Sequence, residues 1–438
     1  MEQKKYQRIL ETQIKNQLNI FGAICIMGPK QVGKTYLSKE KLCNSYIIID
    51  SYSHSSLLEN EINNPIFSGE TPRLIDEWQT IPKIWDKVIT IINQREKPGL
   101  FVLTGSSKPI NYENIIHGTS PKIKIIQMHT LSWHEIINPD KSIKLSDLFL
   151  DQNFQEIKQF FNLKTVAKQL EIGGWPLTNL KPNQSKIILD SYVDAIIKIN
   201  PKIDEKKSLE ILKEIARLNG AEIKIERILS KLNFRISKET LEKFLENLKS
   251  EHIIFDLDSW FASTNIRSKT TKQLQFQKSY FCDPSLALRI LGKNHLDLLN
   301  DLNTMGIYFE NQVIKDLMVY ASALNGKLSL YKRSANETNK LDAPTAEVDA
   351  IMELDDGNWG AIEIKLTDKS DNEDIYEKAK KLVLFKQYVE INKIRKINPK
   401  FLLIITAFNE KGYAYSISID VNNKKEKVFV IPHDCLGI

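Results

Sequence analysis

An apolar run near the N-terminus leads directly into a glycine-rich loop, and this junction constrains the fold more than any other feature. The loop fits the pattern G-x-x-x-x-G-K-[ST], with the residues Gly28-Pro29-Lys30-Gln31-Val32-Gly33-Lys34-Thr35. Such a loop joins a buried strand to the start of a helix, where backbone N–H groups can surround a phosphate. Tyr36 and the residues after it can continue as that helix. The pattern therefore predicts a nucleoside triphosphate site over residues 28–36.

Acidic and hydroxyl side chains that follow later apolar runs can complete this site. Lys34 is expected to neutralise the charge of the β- and γ-phosphates, and Thr35 to ligate Mg²⁺. The run Leu74-Ile75 ends in two acids. We expect Asp76 to hold Mg²⁺, directly or through water, and Glu77 to accept a proton from the attacking water.

A polar residue at the tip of the next apolar run is a third candidate. The segment Leu103-Thr104-Gly105-Ser106-Ser107 follows that run. Thr104 is the preferred residue for sensing the γ-phosphate or orienting the water. Ser106 and Ser107 could equally be turn residues.

The arrangement of apolar runs predicts the fold class of the first 150 residues. The runs lie at Ala23–Met27, Tyr46–Asp50, Arg73–Glu77 and Gly99–Thr104. They are almost continuously apolar, as strands buried on both faces must be, and helical patterns separate them. An α/β domain with a parallel sheet, of the P-loop type, is expected over residues 1–150.

The pattern becomes mostly helical over residues 151–303. Three short helices are predicted at Ser208–Asn219, Ile225–Asn233 and Ser237–Lys249, with a strand at His252–Leu257. This order resembles a winged-helix unit. The third helix carries as many acids as bases, which favours a role in packing or coupling over reading a DNA groove.

A second α/β unit is expected over residues 304–438. A helix at Tyr308–Leu324 precedes strands at Leu328–Lys332, Glu347–Leu354, Trp359–Leu366 and Phe401–Thr406, and a long helix from Asp374 to about Ile391 lies between the last two strands. Residues two apart on a strand face the same side. Glu347 with Asp349, and Glu363 with Lys365, can therefore line one site.

The order of these residues resembles the D…(E/D)-x-K core of restriction-endonuclease-like nucleases. By that resemblance Glu310, Asp349 and Glu363 are candidate Mg²⁺ ligands, and Lys365 positions or activates the attacking water. The alternative is a pair of amphipathic strands whose acids and lysine form a solvated, salt-bridged face. Such a domain can also persist without cleaving DNA.

Composition limits the classes of protein to which the chain can belong. The chain has 438 residues, 42% of them hydrophobic and 26% charged, which is typical of a globular protein. Its four cysteines form no C-x-x-C pair, and no signal peptide or membrane span is apparent, so a cytoplasmic protein is expected. A net charge of +6 permits a polyanionic partner such as DNA without requiring one.

Six motifs together carry a resemblance to a known family. They are GPKQVGKT, LIDEWQTIP, FVLTGSS, HTLSWHE, GGWP and YFCDPSLALRILG. In this order they resemble a widespread prokaryotic family of AAA-superfamily ATPases, in which the P-loop domain is followed by a domain of unknown function with E-V-D and E-x-K motifs. The resemblance covers nearly the whole chain and implies ATP and Mg²⁺ roles for Lys34, Thr35, Asp76 and Glu77.

One position departs from the family pattern. Members often carry an arginine shortly before the L-S-x-x-E motif, where this chain has Lys122. Lysine supplies charge without the bidentate fork of arginine. Arg217 is an alternative sensor, or a salt-bridged surface residue.

The sequence thus predicts a Mg²⁺-dependent ATPase coupled to a nuclease-like domain that acts on or binds DNA, with homo-oligomerisation possible. The alternative is a non-cleaving switch in which the nucleotide state controls a protein–protein surface.

Overall fold

The computed structural model describes residues 6–49, 65–107, 121–150, 156–260, 276–332, 347–367, 373–391, 395 and 397–438. The chain divides into two compact units. The first comprises Met1–Leu131, Trp175–Leu177 and Leu245–Ile253, and the second comprises Ser132–Gly174, Thr178–Phe244 and Ile254–Ile438. The main segment of the first unit ends at Leu131, and the second unit contains most of residues 151–438. The expected division into three domains stays a prediction.

The first unit is built on a five-stranded sheet with the order β2-β3-β4-β1-β5. Its strands are β1 (Ala23–Met27), β2 (Ser45–Ile48), β3 (Arg73–Asp76), β4 (Phe101–Gly105) and β5 (Ile123–Gln127). All neighbouring pairs are parallel, which confirms the predicted parallel α/β fold. Because β4 lies between β1 and β3, the carboxyl ends of these three strands meet at one edge of the sheet.

Helices cover this sheet and complete its core. They are α1 (Leu10–Leu18), α2 (Lys34–Leu37), which continues as a π-helical turn over Ser38–Leu42, and α3 (Lys83–Arg95). The apolar face of α3 packs into the same core as β1 and β4. Trp78, in a 3-10 turn after β3, lies 4.9 Å from Trp85 of α3 between ring centroids. This packing fixes the segment that follows β3.

The second unit contains most of the helices. Their bounds are α4 (Trp133–Ile137), α5 (Leu145–Phe149), α6 (Leu163–Ile172), α7 (Pro176–Leu180), α8 (Ser185–Ile197), α9 (Glu205–Arg217), α10 (Ile225–Leu229), α11 (Lys238–Ser250), α12 (Pro284–Ile290), α13 (His295–Asn300), α14 (Leu302–Ala323) and α15 (Glu373–Ile391). The beginning of α7 and the end of α11 are grouped with the first unit. No helix within the described residues has the length and apolar composition needed to cross a membrane.

Two small sheets accompany these helices. Strands β7 (Ile254–Asp258) and β8 (Gln277–Phe281) form an antiparallel pair after α9, α10 and α11. Three helices followed by a two-stranded sheet match the order predicted for a winged-helix-like unit, and that assignment stays a prediction. Strands β6 (Ile143–Lys144) and β15 (Leu436–Gly437) form a short parallel pair.

The C-terminal part forms a six-stranded mixed sheet with the order β13-β14-β12-β11-β10-β9. The strands are β9 (Gly326–Lys332), β10 (Glu347–Leu354), β11 (Trp359–Thr367), β12 (Phe401–Phe408), β13 (Tyr415–Val421) and β14 (Lys424–Pro432). The four predicted strands and the long helix are confirmed, with bounds that differ by at most two residues. Strands β13 and β14 extend the sheet beyond the prediction. Helix α15 packs on it through Leu382 and Phe385.

A fully buried group of ionisable side chains lies inside the second unit. The Asp316 carboxylate contacts Lys315 Nζ at 3.0 Å and His433 Nε2 at 2.8 Å. It also accepts a hydrogen bond of 3.0 Å from the backbone N–H of Trp133. All three ionisable side chains are inaccessible to solvent. Asp316 therefore joins α14 to the start of α4 and to the C-terminal segment.

Candidate functional site

Two glycines allow the tight turn of the loop between β1 and α2. A Cβ atom at Gly28 would lie 2.1 Å from the Met128 carbonyl oxygen, so only glycine fits there. Gly33 has φ of 99°, in the left-handed region where glycine is favoured. Immediately after Gly33 the chain enters α2, whose first N–H groups lack helical partners. The predicted strand–loop–helix unit is confirmed.

Lys34 lies across this loop. Its ammonium group donates hydrogen bonds of 2.7 Å to the carbonyl oxygens of both Gly28 and Pro29. Burial lowers the pKa of Lys34 to about 8, although Glu77 and Asp76 act in the opposite direction. The charged group is thus held inside the loop, next to the acids at the end of β3.

Two hydroxyl groups hold the carboxylate of Asp76. Thr35 Oγ1 donates to Asp76 Oδ2 at 2.9 Å, and Thr104 Oγ1 donates to Asp76 Oδ1. Asp76 is buried at the carboxyl end of β3. The structure therefore brings together Thr35, Asp76 and Thr104, which lie on three separate elements. Hydroxyl and carboxylate oxygens are the ligand types that Mg²⁺ prefers, so these residues fit that ion.

Glu77 lies beside Asp76 but in a different environment. Its backbone is left-handed, with φ of 55°, at the point where β3 turns into the following 3-10 segment. Gln79 Nε2 donates to Glu77 Oε2 at 2.5 Å, and Ser106 Oγ lies 3.4 Å from the same oxygen. Glu77 remains half-exposed, so the carboxylate is oriented and still reachable. Gln79 lies only two residues after Glu77, but the sequence analysis did not identify it as a partner of Glu77.

The remaining residues of the predicted loop are less enclosed. Tyr36 is exposed, and Lys30 is exposed with its Nζ 3.8 Å from a carboxylate oxygen of Glu251. Val32 is fully buried. Lys122, the residue at the family's arginine position, is exposed.

Arg8 supports the loop from outside, a role that the sequence analysis did not predict. Its guanidinium donates to the Val32 carbonyl at 2.8 Å and to the His129 carbonyl at 2.7 Å. The side chain is buried. It therefore fixes the loop and the segment after β5 to each other. An arginine just before the first helix carries no motif, so only the structure identifies it.

In the second unit, carboxylates from α14 and β10 meet around one lysine. Lys278 Nζ, on β8, lies 2.9 Å from Glu310, 2.7 Å from Glu347 and 3.9 Å from Asp349. Burial raises the pKa of Glu310, and the neighbouring Asp349 raises it further while Lys278 lowers it. Two of the predicted ligands are thus brought together, and Lys278 lies among them.

The third predicted ligand has lysine partners of its own. The β10–β11 register pairs Ala350 with Ile362, which places Asp349 opposite Glu363. Glu363 is fully buried and pairs with Lys378 at 2.5 Å and Lys381 at 2.7 Å, both on α15.

The remaining groups of this cluster also have partners within the chain. Asp349 accepts a 2.9 Å hydrogen bond from the backbone N–H of Ile364, and Lys365 pairs with Asp374. Over the described ranges, no group of three or more acidic, histidine or cysteine side chains is arranged to hold a metal ion. In this arrangement Glu310, Asp349 and Glu363 do not fit a divalent cation.

Two family models match the chain. Residues 21–137 match the model of an AAA domain, and residues 163–297 match a domain of unknown function, DUF8612. The first match contains the glycine-rich loop together with Asp76, Glu77 and Thr104. We refer to residues 21–137, which match this model, as the AAA domain. The AAA domain thus holds all the predicted nucleotide-site residues, whose individual roles stay predictions.

Several known proteins are similar to the chain over longer stretches. An uncharacterized protein of Methanocaldococcus jannaschii, MJ1544, is 24% identical over 371 residues, which cover 82% of this chain and 72% of that protein. The Walker-type ATPase paby2304 of Pyrococcus abyssi is 14% identical with a TM-score of 0.42, covering 66% of this chain and 97% of that one. The RuvB Holliday junction branch migration motor of Thermotoga maritima is 14% identical with a TM-score of 0.25, covering 56% and 88%.

The alternative sensor, Arg217, lies outside the AAA domain at the end of α9. It is exposed and pairs with Glu214 one turn earlier on the same helix. This is the environment of a salt-bridged surface arginine.

Proposed function

We propose that the AAA domain binds and hydrolyses ATP with Mg²⁺. The observation that carries this proposal is the contact between Thr35 and Asp76 beside the buried Lys34. This contact joins the end of the loop, where α2 begins, to the carboxyl end of β3. Binding a triphosphate with its metal ion needs both the loop and the acid on the strand.

Each residue has a distinct role in this proposal. The N–H groups of the loop bind the phosphates, and Lys34 exchanges its two carbonyl partners for phosphate oxygens. Thr35 and Asp76 would hold Mg²⁺, which supplies positive charge to the phosphates when bound. Glu77 takes a proton from the attacking water, and Gln79 holds its carboxylate in place. Thr104 keeps Asp76 oriented.

Two substitutions test the proposal. Lys34→Ala should remove ATP turnover because the phosphates lose their buried cation. Glu77→Gln should keep ATP binding and slow hydrolysis by roughly 10²–10⁴-fold, the usual contribution of a general base. Phosphate release and nucleotide binding are measured on each variant.

Lys39→Ala is the matched control, because Lys39 is exposed on the turn that continues α2 and contacts the Tyr46 ring. It should leave turnover unchanged. Unaltered turnover in Glu77→Gln would remove Glu77 from the role of base.

The proposal extends to the C-terminal sheet, which we assign to DNA. The support is the position of the E-V-D and E-x-K motifs on the neighbouring strands β10 and β11, which lie antiparallel. ATP turnover measured with single-stranded, duplex and branched DNA tests whether DNA is the ligand. Plasmid nicking by the wild type, compared with Asp349→Ala and Lys365→Ala, tests whether the domain cleaves.

A second function is favoured by the lysine partners of these carboxylates. Glu310, Asp349 and Glu363 all lie close to lysine ammonium groups of the same chain. This suits a domain that does not cleave DNA and instead changes a protein–protein surface with the nucleotide state. Two results together would favour this switch: the plasmid stays intact, and the rate of ATP turnover does not change when DNA is added.

A further inference from the structure

Strand β8 directs two polar side chains at the carboxylates of α14 and β10. Lys278 Nζ contacts Glu310, Glu347 and Asp349, and only 12% of the lysine side chain is exposed. Tyr280, two residues further along the same face of the strand, donates a 2.7 Å hydrogen bond to Glu310. The strand therefore supplies both a charge and a hydroxyl to one acidic cluster, defined as Glu310, Glu347 and Asp349.

The cluster needs a positive charge to be stable. Carboxylates held this close repel one another, and burial removes the water that would screen them. Burial alone would lower the pKa of Lys278, but Glu310, Asp349 and Glu347 together raise it above its usual value. Burial would likewise raise the pKa of Glu347, yet Lys278 and Lys332 hold it below its usual range. The lysine and the acids therefore stabilise each other's charged forms.

A divalent cation would require the same carboxylate oxygens. Lysine presents a compact point charge with three donors, and Lys278 directs it at three carboxylates. The other member of the predicted ligand set, Glu363, is likewise engaged by Lys378 and Lys381. A metal ion could enter only after these ammonium groups had moved away.

We infer that Lys278 is an intramolecular cation that closes the acidic cluster to divalent metal ions, so that β8 acts as an autoinhibitory strand on the C-terminal sheet. The residues that carry this inference all lie in the second unit, so it does not depend on ATP hydrolysis by the AAA domain. It concerns the DNA-directed part of the proposed function: the sheet is inactive as a nuclease while β8 is in place.

The test is Mn²⁺ binding measured by titration calorimetry on nucleotide-free protein. Every variant also carries Asp76→Asn, which removes the metal-binding carboxylate of the AAA domain from the measurement. With Lys278 present, we expect weak binding. Lys278→Met should bind at least about tenfold more tightly, equivalent to about 1.4 kcal/mol. Without Mn²⁺, the melting temperature of Lys278→Met should be lower than that of the parent protein. Added Mn²⁺ should then raise the melting temperature of the variant.

Lys327→Met is the matched control. Lys327 is exposed on the edge strand β9, where the strand register places it opposite Glu353 rather than Glu347. It should leave Mn²⁺ affinity close to that of the parent. Equal affinity in the Lys278→Met and parent proteins would overturn the inference.

A second measurement decides the matter even if Lys278→Met does not fold. Tight Mn²⁺ binding by protein that keeps Lys278, abolished by Asp349→Asn, would show that the cluster is already open and the inference wrong. Weak binding that Asp349→Asn does not change would support it.

Discussion

The buried ammonium group of Lys34 links nucleotide binding to pH. In the nucleotide-free protein its pKa is lowered to about 8 by burial, more than Glu77 and Asp76 raise it. A bound triphosphate favours the charged form, so the pKa rises on binding. Above pH 8, binding must therefore take up a proton, and affinity should fall by up to about tenfold for each pH unit.

Titration calorimetry with ATP and Mg²⁺ between pH 7 and pH 9.5, in buffers of different ionisation heats, measures the affinity and the number of protons taken up. We expect no proton uptake well below pH 8 and uptake approaching one proton well above it. Constant affinity with no proton uptake across the series would contradict the assigned pKa of Lys34.

At the scale of elements, the conformation of the glycine-rich loop depends on a residue outside it. Arg8, before α1, donates to the carbonyls of Val32 and His129, and both contacts are buried. Arg8→Met leaves these carbonyls without their charged donor. Because hydrogen bonds to charged groups contribute about 1.5–3 kcal/mol, we expect the KM for ATP to rise roughly tenfold or more.

The split between KM and kcat distinguishes this role from general destabilisation. Arg8 touches neither Asp76 nor Glu77 among the contacts that define the site, so kcat should fall much less than KM rises. Arg8→Lys should restore only part of the affinity, since lysine lacks the fork that reaches two carbonyls. Arg95→Met, at an exposed position near the end of α3, is the control. An unchanged KM in Arg8→Met would exclude the supporting role.

Among the strands that sequence patterns predicted, β1, β3 and β4 of the first sheet are uniformly buried, whereas β2 is only partly buried. Strand β1 is buried along its whole length, and its bounds match the apolar run Ala23–Met27. In the edge strand β5 only Ile123 and Ile126 are buried, and β14 begins with exposed lysines, so neither strand is apolar along its whole length. Such strands are defined by backbone pairing with a neighbour, which the local sequence does not encode.

The candidate site residues also differ in how far the sequence predicts their partners. Asp76 and Thr104 lie at the carboxyl ends of β3 and β4, and Thr35 lies in the helix that follows β1, so the sheet topology brings these residues together. Lys278 meets Glu310 and Asp349 across long separations in sequence, and nothing near it marks a partner. The carboxylates were therefore predictable as a group, whereas their lysine partners were not.

At the scale of the whole second unit, one buried carboxylate connects segments from its beginning, middle and end. Asp316 pairs with Lys315 and His433 and accepts from the N–H of Trp133. Asp316→Ala would leave the buried Lys315 without this partner. Removing one member of a buried ion pair costs about 3–5 kcal/mol, so we expect a loss of that size in the free energy of unfolding.

Acid should weaken the contacts that Asp316 makes with Lys315 and His433. Burial alone would raise the pKa of Asp316, but Lys315 and His433 hold it below its usual value. A carboxyl with a lowered folded-state pKa stabilises the protein above its unfolded-state pKa, and this contribution is lost as pH falls through the folded-state value.

Urea unfolding measured from pH 7 down to pH 2 should therefore show a steeper loss of stability in the wild type than in Asp316→Ala once the pH falls below about 4, the usual pKa of an aspartate, and the difference between the two proteins should narrow from there. Asp140→Ala, which removes an exposed carboxylate of the same unit, should follow the wild type. If Asp316→Ala lost no stability at pH 7, or if its acid slope equalled that of the wild type, the buried carboxylate would not be what holds the three segments together.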